Sequence, residues 1–77
     1  MPYIAIKAYP KDEATKKELV EKINQTVMDV CGVPQKAVTI TFEEFPKEEW
    51  EEKVVKAEIE PRADKLWISH GEKLYEK

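Results

Sequence analysis

The spacing of apolar residues changes period twice within the first 44 residues, from two to about 3.6 and back to two, and this most constrains the fold. From Tyr3 to Tyr9 the chain alternates. Ile4, Ile6 and Ala8 take one face, and Tyr3, Ala5, Lys7 and Tyr9 take the other. That alternation predicts a strand, which Pro10 ends before a Lys11-Asp12 loop. Asp12 is placed as the N-cap of a helix, with Glu13 in the first turn where the helix dipole favours an acid. Leu19, Ile23, Val27 and Val30 follow at helical spacing, and Val20 and Cys31 widen the stripe. Glu13–Lys17 and Glu18–Lys22 are expected as i,i+4 pairs on the wet face. Gly32 and Pro34 stop the helix near Cys31. Alternation resumes from Ala37 to Glu43, with Val38, Ile40 and Phe42 on one face and Thr39 and Thr41 on the other.

Strand, long helix and strand in this order predict a βαβ unit with parallel strands and a right-handed crossover. Downstream the text changes. From Pro46 to Trp67 it is acidic and helical, with Trp50, Val54 and Ala57 on one side. Pro61 marks a break or the first turn of a short final helix over 60–68. Gly71 opens a charged tail expected to be partly disordered. The expected organisation is a single α+β domain over residues 1–77. It comprises a βαβ core over 2–44, a helical extension over 46–68 and a tail over 69–77.

Two parallel strands and one helix leave a sheet face and an edge uncovered, and parallel sheets are normally buried on both faces. The chain is short and lacks the usual staples. One cysteine, Cys31, cannot close an internal disulfide, and one histidine, His70, does not make a Cys/His zinc site. A second copy of the chain is therefore expected to complete the fold. Cys31 is expected to be inert core, and His70, near the charged tail, to face solvent.

Composition narrows the function. Acidic and basic residues are interspersed at a net charge of −3, without the clustered basic face that nucleic acid requires. No apolar run is long enough to span a membrane. No signal peptide is visible at the start, and a free cysteine then fits a reducing cytoplasm. The acidic run from Glu48 to Glu52 reads as a wet helix face, and no pair of carboxylates has spacing suited to acid–base work.

Pro2 is the most informative position. If Met1 is excised, Pro2 becomes a free secondary amine; if Met1 stays, the same nitrogen is a tertiary amide with no useful basicity. A free α-amino group titrates at about 7.7–8.0 when unperturbed. Apolar walls and nearby cations lower that value, and a base poised near the working pH is the most effective proton shuttle. The bland alternative is a proline that merely starts a strand.

The segments MPYIAIKAYP, ATKKELVEKINQTVMDVCGVP and AVTITFEE, with the aromatic in FPKEEW, resemble the 4-oxalocrotonate tautomerase family over roughly the first fifty residues. EEWEEKVVKAEIEPRADKLW extends the likeness to a longer-tailed bacterial subgroup similar to para-phenylenolpyruvate tautomerase. The resemblance implies a tautomerase fold completed by dimerisation, and an isomerase that shifts a proton between the enol and keto forms of a small 2-oxo acid. It assigns Pro2 as the general base. Lys11 falls where many members hold the substrate carboxylate with an arginine; lysine keeps the charge but loses the bidentate fork. Trp50 matches the aromatic pocket wall. Thr39 stands where founding members carry a second arginine, which turns the expectation from a diacid to a mono-acid such as an aryl or alkyl 2-oxo acid. Arg62, the chain's one arginine, is a possible replacement cation that no motif supports. Tyr9 and Phe42 are read as packing residues. Proton transfer alone implies no metal and no cofactor. Expected partners are the small-molecule substrate and a second copy, a dimer being favoured over the hexamer common in the founding family because the tail helices would cap the surfaces that otherwise trimerise. Two alternatives stand beside this reading. One is a dehalogenase or decarboxylase of the same fold using protonated Pro2, and the other is a non-catalytic dimeric module.

Overall fold

The computed structural model describes residues 1–76, which fall into two units, Met1–Pro46 and the residues from Lys47 on. The first unit holds the βαβ motif. Strand β1 (Tyr3–Ala8) and strand β2 (Thr39–Glu44) pair in parallel, with Tyr3 opposite Thr39, Ile4 opposite Ile40, Ile6 opposite Phe42 and Ala8 opposite Glu44. This register puts Ile4, Ile6, Ile40 and Phe42 on one face, all half-buried. On the other face the Tyr3 hydroxyl lies 3.3 Å from Thr41 Oγ1, and Lys7 pairs with Glu43 at 3.9 Å.

Helix α1 (Glu13–Cys31) connects the strands. Its ends form as their residues dictate. The Asp12 carboxylate accepts hydrogen bonds from the backbone N–H and the hydroxyl of Thr15. Those bonds, the hydroxyl first, hold the Asp12 carboxyl below its usual range. Gly32 adopts the left-handed conformation at φ 66° and its N–H returns to the Met28 carbonyl, a turn that an L side chain disfavours. Val20, Ile23 and Val27 form the half-buried stripe, joined by Asn24 and Met28. Lys16 sits over the Phe42 ring at 5.7 Å, which sets the start of α1 over the Ile40–Phe42 face. In the first turn Lys16, rather than Lys17, pairs with Glu13, at 3.1 Å; Glu18–Lys22 forms as expected at 2.9 Å.

Four further expectations of this unit are corrected. Cys31 is exposed rather than core, Val30 is 80% exposed, and Leu19 lies at the exposed rim of the stripe. For Val30 and Cys31 the physical reason is length: nineteen helical residues run about 28 Å and six-residue strands about 20 Å, so the helix is longer than the strands it can cover. The second strand begins at Thr39 rather than Ala37, because Gln35–Ala37 make a 3₁₀ turn after Pro34.

The second unit starts with the short helix α2 (Lys47–Trp50) and continues into a π-helix over Glu51–Ile59 and a 3₁₀ segment over Glu60–Lys65. The Glu60 N–H reaches back to the Val55 carbonyl, five residues earlier. Pro61 then has no N–H to offer the carbonyl four residues before it, so the wide turn gives way to a tighter one. Val54, 3% exposed, is the one buried hydrophobic residue among those described.

The final helix expected over 60–68 ends at Lys65, and a hairpin replaces the expected disordered tail. Strands β3 (Ile68–Ser69) and β4 (Glu72–Lys73) pair antiparallel around His70 and Gly71, at φ 49° and 82°. Two successive positive φ values define the primed two-residue turn that matches strand twist. The Leu74 N–H donates to the Trp67 carbonyl at 2.7 Å, and the Trp67 and Tyr75 rings lie 5.7 Å apart. Lys77, the last residue of the expected tail, lies outside the described residues.

Candidate active site

Pro2 stands just before β1 and is half-buried. Its carbonyl accepts the Thr39 N–H at 3.1 Å, so the start of each strand is tied to the other. The structure thus brings Pro2 and Thr39 together. Met1 is 96% exposed, which leaves the Met1–Pro2 bond open to an aminopeptidase.

Lys11 lies at the opposite end of the strand pair. Its backbone N–H donates to Glu44 Oε2 at 2.7 Å, and Glu44 pairs with Ala8 at the far end of β1. About 16 Å of strand separates that end from Tyr3. Pro2 and Lys11 thus stand at opposite ends of the strand pair within one chain.

The contact of Glu44 with the Lys11 loop was not legible, since nothing in its local sequence distinguishes it from Glu43. Its two oxygens are divided. Oε2 takes the Lys11 N–H, and Oε1 takes the Lys16 ammonium at 3.3 Å. The Lys11 N–H, and then the Lys16 ammonium, hold the Glu44 carboxyl below its usual range. Glu13 first and Glu44 second raise the Lys16 ammonium above its own.

Trp50 closes α2 and is half-buried. Within the second unit it lines a concavity of about 320 Å³ with Val55, Ile59, Leu66, Ile68, Ser69 and His70. His70 is exposed, as expected, and borders this apolar hollow from the hairpin turn. Arg62 is engaged locally, donating to the Glu58 carbonyl at 3.0 Å and pairing with the Glu58 carboxylate at 3.1 Å.

Comparison with known proteins gives the class to which this parallel βαβ unit belongs, the tautomerases. Residues 2–56 match the family described as tautomerase enzyme. A probable tautomerase of Xylella fastidiosa (strain 9a5c) is 33% identical over 67 residues, which cover 86% of this chain and 82% of that protein. The 2-hydroxymuconate tautomerase of Pseudomonas putida is 38% identical over 40 residues, 52% of this chain and 64% of that protein. The chain belongs to the tautomerase family, of the 4-oxalocrotonate type. It is a tautomerase, an isomerase acting on a small molecule. No helix among the described residues is long and apolar enough to cross a membrane.

Proposed function

We propose that the chain, once Met1 is excised, interconverts the enol and keto forms of a small mono-carboxylic 2-oxo acid with Pro2 as general base. The uncharged Pro2 nitrogen takes the proton from the enol oxygen and returns it to the neighbouring carbon, so the reaction is a net isomerisation. Lys11 holds the substrate carboxylate, and Trp50 forms the aromatic wall that excludes water and favours the neutral amine. Developing charge on the substrate oxygen needs a donor, and the hydroxyl of Thr39, whose backbone is bonded to Pro2 across the strand pair, is the one put forward. A threonine hydroxyl is neutral, which suits a mono-acid better than a diacid.

The observation that carries this reading is the Pro2–Thr39 hydrogen bond, which fixes a half-buried proline beside a hydroxyl residue while Met1 stays accessible. The separation of Pro2 from Lys11 supports a homodimer in which each site takes Pro2 from one chain and Lys11 from the other. So does the paucity of core: a fully buried side chain contributes only about 1.5–3 kcal/mol, and chains this short normally need further burial. The free Cys31 thiol fits a cytoplasmic protein. The test is ketonisation of phenylenolpyruvate, with the N-terminus verified by intact mass. Wild-type protein lacking Met1 is expected to be active. Equal activity in protein that retains Met1 would sink the assignment.

A further inference from the structure

The loop that carries Lys11 is held by a residue 33 positions away, and the way it is held leaves the lysine side chain available. Glu44 bonds directly to the main chain of Lys11 and meets its ammonium only at longer range: the 2.7 Å bond is from the backbone N–H to Oε2, and the two side-chain charges attract without a close ion pair. The other oxygen is taken by Lys16, which is itself fixed by Glu13 and by the Phe42 ring. The Glu44 and Lys16 side chains are 30% and 23% exposed, so this anchor is partly sheltered from solvent. On its other side the loop runs directly into Asp12, whose carboxylate is committed to Thr15 as the cap of α1. Lys11 is therefore clamped between the end of β2 and the start of α1. Its own ammonium makes no ion pair among the described residues, and the side chain is exposed.

We infer that Glu44 is a positioning residue for the isomerisation: it fixes the Lys11 main chain so that the Lys11 ammonium meets the substrate carboxylate from a set direction, while Lys16 takes the other oxygen of Glu44. The inference rests on the reading of Lys11 as the carboxylate holder. A long, flexible lysine gains most from such a clamp, because it lacks the planar fork with which arginine orients a carboxylate. With the loop released, the ammonium still attracts the anion but holds it less often in the productive pose, and ordering the loop opposes binding.

Steady-state kinetics on phenylenolpyruvate test this with Glu44→Ala, Glu44→Gln, Lys11→Ala and the double variant Lys11→Ala/Glu44→Ala, each checked for a folded circular dichroism spectrum. Glu44→Ala is expected to raise KM about tenfold with kcat within about twofold, the scale of one lost charge-assisted hydrogen bond. Glu44→Gln retains an acceptor oxygen for the Lys11 N–H and is expected to restore KM to within about threefold of wild type. Lys11→Ala is expected to raise KM at least as much, and the double variant to be no worse than Lys11→Ala alone, because Glu44 acts through Lys11. If Lys11→Ala raises KM but Glu44→Ala does not, or if the two effects multiply, the positioning role is overturned while Lys11 keeps its own. If Lys11→Ala leaves KM unchanged, the assignment of Lys11 fails and the role of Glu44 falls with it. Should Glu44→Ala not fold, an unrescued KM in Glu44→Gln decides against the inference by itself.

Discussion

Thr39 donates its backbone N–H to the Pro2 carbonyl at 3.1 Å, so the residue that starts the second strand holds the residue that starts the first. Fixing the carbonyl of Pro2 restricts where its ring nitrogen points once Met1 is gone. Thr39→Val keeps this bond and removes only the hydroxyl, whereas Thr39→Pro removes the donor itself. Thr39→Pro is expected to cost about 1–3 kcal/mol in thermal unfolding and to lower kcat sharply. Thr39→Val should retain wild-type stability and lose about tenfold in kcat if its hydroxyl faces the developing oxyanion. Equal kcat in Thr39→Val and wild type would remove the hydroxyl from the reaction and leave the backbone bond as the residue's contribution.

Pro2→Ala leaves a primary amine on a freer backbone. Turnover is expected to fall by about 10²–10⁴, the range attributed to a positioned acid–base group, with the circular dichroism spectrum unchanged. The pH profile of kcat/KM should rise as the Pro2 ammonium loses its proton. A profile that falls over the same range indicates a cationic proline and favours dehalogenase or decarboxylase chemistry.

The distance along β1 between Pro2 and Lys11 leads to a complementation experiment. Pro2→Ala and Lys11→Ala proteins, each weak alone, are mixed under conditions that allow subunits to exchange. If sites pair Pro2 of one chain with Lys11 of the other, the mixed dimer contains one intact site, and activity returns to a sizeable fraction of wild type. Activity that stays at the average of the two variants places both residues in one chain's site or removes Lys11 from it.

Acid should weaken the fold through Asp12 and Glu44. Both carboxyls lie below their usual range in the folded chain, Asp12 because of Thr15 and Glu44 because of the Lys11 N–H. Their contribution is present above the unfolded carboxylate range, about pH 4, and is lost as pH falls through the lower folded values. Lys16 acts in the opposite sense. Its raised value adds stability below the unfolded lysine range, lost as pH rises through the folded value. Asp12→Asn, which keeps a capping oxygen without the charge, should flatten the acid limb of a pH–melting curve.

Val54 and Gly71 test the second unit. Val54→Ala opens a void at the one buried hydrophobic position described and is expected to cost about 2 kcal/mol. Gly71 sits at φ 82° with open space where a side chain would begin, so Gly71→Ala carries a backbone penalty and no clash, about 1–2 kcal/mol. A melting temperature unchanged by Gly71→Ala would show that the hairpin contributes nothing to stability.

The strand–helix–strand order, the caps at Asp12 and Gly32, the break at Pro61 and the candidacy of Pro2 were legible because each rests on neighbours within a few residues. Alternation, helical spacing and the missing N–H of proline act locally. The hairpin was locally written too, as short runs on either side of His70-Gly71, but histidine is an uncommon first residue of a primed turn and its signal is weak. Tertiary structure decided the rest. Val30 and Cys31, which helical periodicity assigns to the core, are exposed at the end of a helix longer than its strands. Register alone tied Thr39 to Pro2, and the rigid length of β1 set Lys11 apart from it. Glu44 reaches Lys11 only because parallel pairing carries β2 to the end of β1 where the loop begins, a closeness between residues 33 apart that no local pattern encodes.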